Sequence, residues 1–166
     1  MSIMPINMEK TFAEDEIIVS KTDLKGKITY GNELFIKMSG YTEDELLGAN
    51  HNIVRHPDMP KIVFKTLWDT VQGKKEIFAY VKNMAKDGSF YWVFANVTPS
   101  LDLSGNIIGY YSVRRKPSKK AIETIEPIYK ALLDAEKRGG MKESQKLLEE
   151  TLHNANICYE QFVLSI

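Results

Sequence analysis

Side chains capable of chemistry are concentrated in one ten-residue stretch, His51 to Pro60. It holds two of the chain's three histidines, an arginine, an aspartate and two prolines. Pro57 and Pro60 fix their own φ angles and disfavour helical backbone at the residue before each, so few conformations are open to this segment. Imidazole and guanidinium groups held in a restricted loop suit the binding of an anionic ligand. The alternative is a corner between helices, in which His56 and Asp58 cap the next helix.

The same residues do not match a known catalytic constellation. The sequence contains no phosphate-binding loop, no HExxH run and no Ser-His-Asp or Cys-His arrangement. Asp58 lies two residues from His56 in a proline-restricted corner, which favours a structural role over acid–base chemistry. The sequence therefore predicts a protein that is not an enzyme.

Composition narrows the class of protein further. At 166 residues, the chain can form one domain with an appendage. Its 22 basic and 22 acidic residues balance, which argues against nucleic acid or an anionic membrane as the main partner. The single cysteine, Cys158, excludes an intramolecular disulfide. There is no apolar run of about 18 residues and no secretion-signal pattern at the start, so we expect a soluble, cytoplasmic protein.

The elements that position these residues read as an α+β domain over 17–116, preceded by an N-terminal cap over 1–16. Two β-prone runs flank a glycine turn, and short helices and a long antiparallel meander follow. A Thr42–Glu45 capping box marks the start of one helix. The predicted strands are 17–19, 25–30, 76–85, 89–99 and 107–115, and the predicted helices include 32–38 and 62–72.

Both faces of the longest predicted strand are apolar or aromatic. One face carries Tyr91, Val93, Ala95 and Val97, and the other begins with Trp92 and Phe94. Short helices can cover only one of them, so the second face needs an N-terminal cap, a C-terminal helix or a second copy of the chain.

Residues 117–166 form a helical extension with two amphipathic helices. The first starts at Ser118, contains Pro127 and ends at Gly139–Gly140, and the second runs from Lys142 past Phe162. The pair can fold back as a hairpin over the open sheet face, or it can dock a second copy or a receptor. We favour docking, because two consecutive glycines suit a flexible joint.

These motifs together resemble a PAS domain, and more narrowly the PAS domain of the Aer-type aerotaxis and energy-taxis sensors. The most specific carriers are Asn52–Pro60, Lys82–Asn83 and Tyr91–Val93, within a similarity that covers 17–136. The resemblance implies a five-stranded antiparallel sheet cupped by short helices, with non-covalently bound FAD as a redox sensor. It also implies signalling to the HAMP region of a chemoreceptor.

Membrane helices and a receptor signalling domain are absent from this sequence, so the similarity is closest to the stand-alone PAS proteins of bipartite energy-taxis systems. We therefore expect a homodimer in the cytoplasm, or at the inner membrane face through a receptor partner.

Several side chains suit a flavin independently of this resemblance. Arg55 and His56 are candidates for the pyrophosphate, and Asn83 and Asn32 for polar partners of the ring or ribityl chain. The aromatic candidates for ring walls are Phe64, Trp68 and Trp92, and the alternative that we favour for them is core or cap packing. The alternative for Asn32 is a helix N-cap. The full predicted set is Asn32, His51, Asn52, Arg55, His56, Asp58, Phe64, Trp68, Asn83 and Trp92.

One departure from the family keeps two alternatives open. The resemblance leads us to expect a tryptophan shortly before Val81-Lys82-Asn83, but the segment reads Glu76-Ile-Phe-Ala-Tyr-Val81. The main alternative cofactor is haem b, with His51 or His56 as the axial ligand. The third hypothesis is a cofactor-free interaction module.

Overall fold

The structure, a computed structural model, describes residues 2–166, so Met1 of the expected N-terminal cap lies outside it. Five strands form one antiparallel sheet in the order β2-β1-β5-β4-β3. This confirms the predicted α+β architecture. The strands are β1 (Ile18–Thr22), β2 (Ile28–Gly31), β3 (Ile77–Met84), β4 (Phe90–Leu101) and β5 (Ile107–Arg115).

Short helices connect β2 to β3 on one side of the sheet. Asn32 caps the first of them by accepting a hydrogen bond from the Phe35 amide, and Gly40 ends it in the left-handed conformation with φ 73°. The predicted capping box of Thr42 and Glu45 is present. The helices are α1 (Glu33–Ser39), α2 (Glu43–Leu46) and α3 (Lys61–Gln72), with a short 3₁₀ helix, His51–Val54, before α3.

The two faces of the sheet divide its apolar residues as the alternation predicts. The inner face, toward α1 to α3, presents Val93 and Ala95 of β4. The outer face presents Trp92 and Phe94, which pair across the sheet with Lys82 and Tyr80 of β3.

Three C-terminal helices follow β5: α4 (Lys119–Gly139), α5 (Met141–Ala155) and α6 (Tyr159–Ser165). The second predicted helix is thus two, because Asn156 adopts the left-handed conformation with φ 52° and ends α5. Pro127 lies inside α4 but does not end it.

The outer face of the sheet is covered by α4 and α6. The Tyr129 hydroxyl of α4 donates to the Tyr80 carbonyl at 2.6 Å, and the rings of Tyr129 and Trp92 stack at 6.2 Å. Val163 of α6 is 1% exposed. The structure therefore places these helices as a lid, which differs from the free docking arm that we favoured. The physical reason is the aromatic outer face, which needs cover.

A partly buried contact connects the lid to α3. The Glu136 carboxylate of α4 accepts from the Ile62 amide at 3.0 Å and from the Ser144 hydroxyl at 3.1 Å. The N-cap residue of α3 makes no side-chain capping bond. Glu136, which is distant in sequence, therefore supplies the acceptor for the first turn of this helix.

The N-terminal residues from 2 onward run alongside the start of β4. The amides of Ile6 and Lys10 donate to the carbonyls of Gly88 and Phe90, at 2.9 and 2.7 Å. Phe12 joins the core. In the described part of the chain, no helix is long and apolar enough to span a membrane.

Candidate cofactor-binding cavity

A cavity of about 130 Å³ lies between the inner face of the sheet and the elements before β3. Its apolar wall comes from β3, β4 and α3. Its polar groups come from β1, β3, β5 and the segment 50–55, which includes the 3₁₀ helix. The lining residues are Ser20, Thr22, Asn50, His51, Asn52, Val54, Arg55, Phe64, Leu67, Trp68, Val81, Asn83, Val93, Ala95, Val97, Tyr110, Tyr111, Ser112 and Arg114.

Arg114 of β5 is the main charged group of this cavity. The residue is 2% exposed, and its Nη2 donates to the Ser20 hydroxyl. Within residues 2–166, its Nε and Nη1 are buried without a hydrogen-bond partner, and no Asp or Glu lines the cavity. Burial lowers the pKa of Arg114 to about 10, so the guanidinium stays charged at neutral pH. The guanidinium also lies 4.7 Å from the ring centroid of Phe35, which supplies no hydrogen-bond acceptor in the ring plane. Buried donors without acceptors are costly, and an anion or a set of acceptors would satisfy them.

His51 stands beside this guanidinium and is neutral. Burial and the positive charge of Arg114 lower the pKa of His51 to about 3. Its Nε2 lies 2.9 Å from the Ser20 hydroxyl, and its ring stacks on Phe35 with centroids 5.6 Å apart. The imidazole therefore offers polarity but no charge to a ligand.

Arg55 lies at the mouth of the cavity, where its side chain remains exposed. Its guanidinium lies 3.8 Å from the ring centroid of Phe64, and its backbone pairs with Asn83 at the edge of β3. This pairing holds the second arginine of the cavity next to a buried amide side chain.

The apolar wall on the helical side comes from one face of α3. Phe64, Leu67 and Trp68 follow at helical spacing, and the Trp68 ring packs edge-on against Tyr110 at 5.2 Å. The flat walls and the polar end together suit a planar ligand with acceptor atoms along one edge.

Six of the ten predicted site residues line this cavity: His51, Asn52, Arg55, Phe64, Trp68 and Asn83. They come from three separate parts of the chain, and the cavity brings them together. The other four lie elsewhere.

His56 and Asp58 form a structural cluster at the edge of β3. The Asp58 amide donates to Nδ1 of His56 at 3.0 Å, and its carboxylate pairs with Lys82 Nζ at 2.8 Å. His56 is buried under Phe90, edge-on at 6.3 Å. Consecutive residues of an extended segment face opposite sides. Arg55 therefore reaches the cavity and His56 does not, so the predicted pairing of these two side chains at one ligand is not what the structure shows.

Asn32 and Trp92 also serve the fold rather than the cavity. The Asn32 side chain accepts from the amides of Val19 and Phe35 and donates to the Ile17 carbonyl, which uses its amide group for capping. Trp92 is on the outer face of the sheet and cannot wall a cavity on the inner face. Both therefore take the structural alternatives described above.

Comparison with known protein families shows which family this chain belongs to. A family model described as the PAS fold matches residues 28–114, and the chain belongs to this family. A solved structure, the dark structure of the blue-light photoreceptor Aureochrome1 LOV, has a TM-score of 0.58 at 25% identity. The match covers 64% of this chain and 80% of that one.

Among curated proteins, the chain is 45% identical over 120 residues to the aerotaxis receptor of Escherichia coli (strain K12). That match covers 72% of this chain and 24% of the receptor. It is also 28% identical to the nitrogen fixation regulatory protein of Klebsiella pneumoniae, over 60% of this chain and 20% of that protein. The chain thus spans about a quarter of the length of these relatives, and the Aer-type resemblance is confirmed for the PAS domain.

The residues present fit a flavin better than a haem. The unpartnered guanidinium donors of Arg114 suit the carbonyl and nitrogen edge of a flavin ring. For haem, His56 does not line the cavity and the Nε2 of His51 is hydrogen-bonded to Ser20. A cavity of about 130 Å³ is smaller than the roughly 300–1,000 Å³ of pockets that enclose a whole ligand. This volume does not enclose a whole dinucleotide.

Proposed function

We propose that this chain is a redox sensor that binds FAD in the cavity and signals by protein contact, as a sensor rather than an enzyme. The observation that carries the proposal is the buried guanidinium of Arg114. Two of its nitrogen donors, Nε and Nη1, have no acceptor within residues 2–166. A ligand that supplies acceptors there would compensate a cost that the protein otherwise bears. The 45% identity to an aerotaxis receptor supports the redox assignment.

The chain's residues divide the work of holding this group. Arg114 and Asn83 offer polar contacts to the ring edge, and Phe64 and Trp68 offer apolar walls. Arg55, at the mouth, is placed for a charge-assisted contact with the pyrophosphate. Bound flavin would supply reversible electron acceptance, and the negative charge of its reduced form is of the sign that Arg114 stabilises.

The proposed signal leaves the cavity through β3 and α3. Val81 and Asn83 of β3 line the cavity. The backbone carbonyl of Tyr80, in the same strand, accepts a hydrogen bond from the Tyr129 hydroxyl of α4. A change in hydrogen bonding at the ring would therefore reach the lid through one strand. The receiving partner in this proposal is a HAMP-containing chemoreceptor, contacted by a homodimer at the inner membrane face.

The test is the cofactor content of the purified full-length chain. We expect the absorption spectrum of an oxidised flavin, and chromatography of the heat-released cofactor should identify FAD rather than FMN. A Soret band would establish haem instead. A colourless protein that also fails to take up added FAD would overturn the proposal in favour of a cofactor-free module.

A further inference from the structure

Ser20 of β1 connects two polar groups of the cavity that come from different elements. Its hydroxyl accepts from Nη2 of Arg114 on β5 and lies 2.9 Å from Nε2 of His51. Ser20 is 1% exposed, and within residues 2–166 its hydroxyl has no third partner. With only these two partners, the donor and the acceptor in each contact of the Ser20 hydroxyl can be assigned.

The count determines which nitrogen of His51 carries hydrogen. A guanidinium only donates, so the Ser20 oxygen is an acceptor toward Arg114. If Nε2 of His51 also donated to Ser20, the serine proton would be left buried without an acceptor. An unmet buried donor of this kind is unfavourable, because it has lost its hydrogen bond to water without replacement. When Nε2 accepts the serine proton instead, the Ser20 hydroxyl both accepts from Arg114 and donates to His51.

The protonation state of His51 completes this assignment. Burial and Arg114 lower the pKa of His51, so the neutral ring carries a single hydrogen. Because Nε2 accepts from Ser20, that hydrogen is on Nδ1.

We propose that Ser20 is a positioning residue of this cavity. It holds His51 as the Nδ1–H tautomer and fixes the Arg114 guanidinium so that Nε and Nη1 stay free for a ligand. The donor set is then arranged before binding, which lowers the ordering cost of binding. It selects a ligand edge rich in acceptors and able to carry negative charge. The ligand part rests on the proposed function, but the tautomer does not.

The first test is the ring nitrogen spectrum of the flavin-free full-length chain. We expect the ¹⁵N shifts of His51, assigned by their loss in His51→Gln, to show Nδ1 protonated and Nε2 bare near pH 7. In Ser20→Ala, Nε2–H should become populated, and Ser20→Thr should keep the wild-type signal. A protonated Nε2 in the wild type, or an unchanged tautomer in a folded Ser20→Ala, would overturn the proposal.

The second test is FAD affinity, measured by flavin fluorescence titration. We expect Ser20→Ala to bind about tenfold more weakly, which corresponds to one lost orienting contact of about 1.4 kcal/mol. Ser89→Ala is the matched control, because Ser89 is also fully buried and bonded to a charged side chain, Asp87, away from the cavity. Wild-type affinity in Ser20→Ala would refute the positioning role while the sensor proposal stands. Failure of every variant and the wild type to bind FAD would refute the sensor proposal while leaving the tautomer result intact.

Discussion

At the scale of single residues, Arg55 is the position whose proposed role is easiest to isolate. Its guanidinium packs on Phe64 at the mouth, outside the enclosed part of the cavity. If it contacts the pyrophosphate, Arg55→Ala removes a charge-assisted contact of about 1.5–3 kcal/mol. We expect FAD affinity to fall tenfold or more, and riboflavin affinity, with no phosphate involved, to change little.

Fluorescence titrations with both ligands check this prediction. Arg115→Ala, at an exposed position at the end of β5, is the matched control and should bind both ligands as the wild type does. Equal losses for FAD and riboflavin in Arg55→Ala would assign Arg55 to the ring rather than to the phosphates.

His51 should make stability depend on pH in a defined direction. Burial and Arg114 hold its folded pKa near 3, below the ordinary value of 6.5. Between pH 6.5 and pH 3, the His51 imidazole is therefore protonated in the unfolded chain and neutral in the folded chain. The His51 contribution is complete above pH 6.5 and is lost as pH falls from 6.5 toward 3, by on the order of 1.4 kcal/mol per pH unit at most.

Urea unfolding of the flavin-free protein at pH 7 and pH 4.5 measures this loss. The loss between the two pH values should be clearly smaller in His51→Gln, and unchanged in the control His153→Gln, whose side chain is exposed. An equal pH dependence in wild type and His51→Gln would show that the ring protonates freely in the folded state.

Sequence reasoning found the cavity residues that lie near conspicuous motifs and missed those set by sheet order. Arg114 and Ser20 meet because β1 pairs with β5, and strands so far apart in sequence give no local sign of being neighbours. One signal was available: Tyr110, Ser112 and Arg114 alternate along β5 and therefore share one face of the strand. An arginine at such a position indicates an unusual inner surface.

At the scale of elements, the lid makes the clearest stability prediction. Val163 of α6 is 1% exposed against the core, whereas its neighbour Leu164 is 53% exposed. Val163→Asp must bury a carboxylate or detach α6, so we expect a loss of about 2 kcal/mol or more in the free energy of unfolding. Leu164→Asp should stay within about 0.5 kcal/mol of the wild type.

Urea unfolding and limited proteolysis after α5 measure the difference between these two variants. Similar stability and cleavage of Val163→Asp and Leu164→Asp would mean that α6 does not cover the sheet in solution, and would restore the docking-arm interpretation.

Element types were predictable because periodicity and capping act locally. The Thr42–Glu45 box, α3 and the three long strands were confirmed at close to their predicted bounds. The division between α5 and α6 was not, because Asn156 is tolerated inside a helix as well as in a left-handed cap. Whether the C-terminal helices form a lid or a free arm depends on their packing against Trp92 and Tyr80. The sequence of the helices alone gives no information about that packing.

At the scale of the whole molecule, the cavity and the lid are connected at two places. Glu136 of α4 caps α3, which supplies Phe64 and Trp68 to the cavity. Tyr129 of α4 bonds to Tyr80 of β3, the strand that carries Asn83. A signalling partner could therefore respond to a change at the cavity by binding α4, without contacting the sheet. The covered outer face is therefore compatible with the proposed signalling by protein contact.

The most direct test of the account is FAD titration of the flavin-free full-length chain, wild type against Arg114→Met. Methionine fills similar space without charge or donors, so the variant loses two charge-assisted contacts, about 1.5–3 kcal/mol each. We predict that the wild type binds FAD and that Arg114→Met binds it at least about a hundredfold more weakly. The folded variant should be no less stable than the flavin-free wild type, since it removes a buried charge whose Nε and Nη1 have no hydrogen-bond partner within residues 2–166. Equal FAD affinity in the two proteins would contradict the claim that this guanidinium makes the cavity a flavin site.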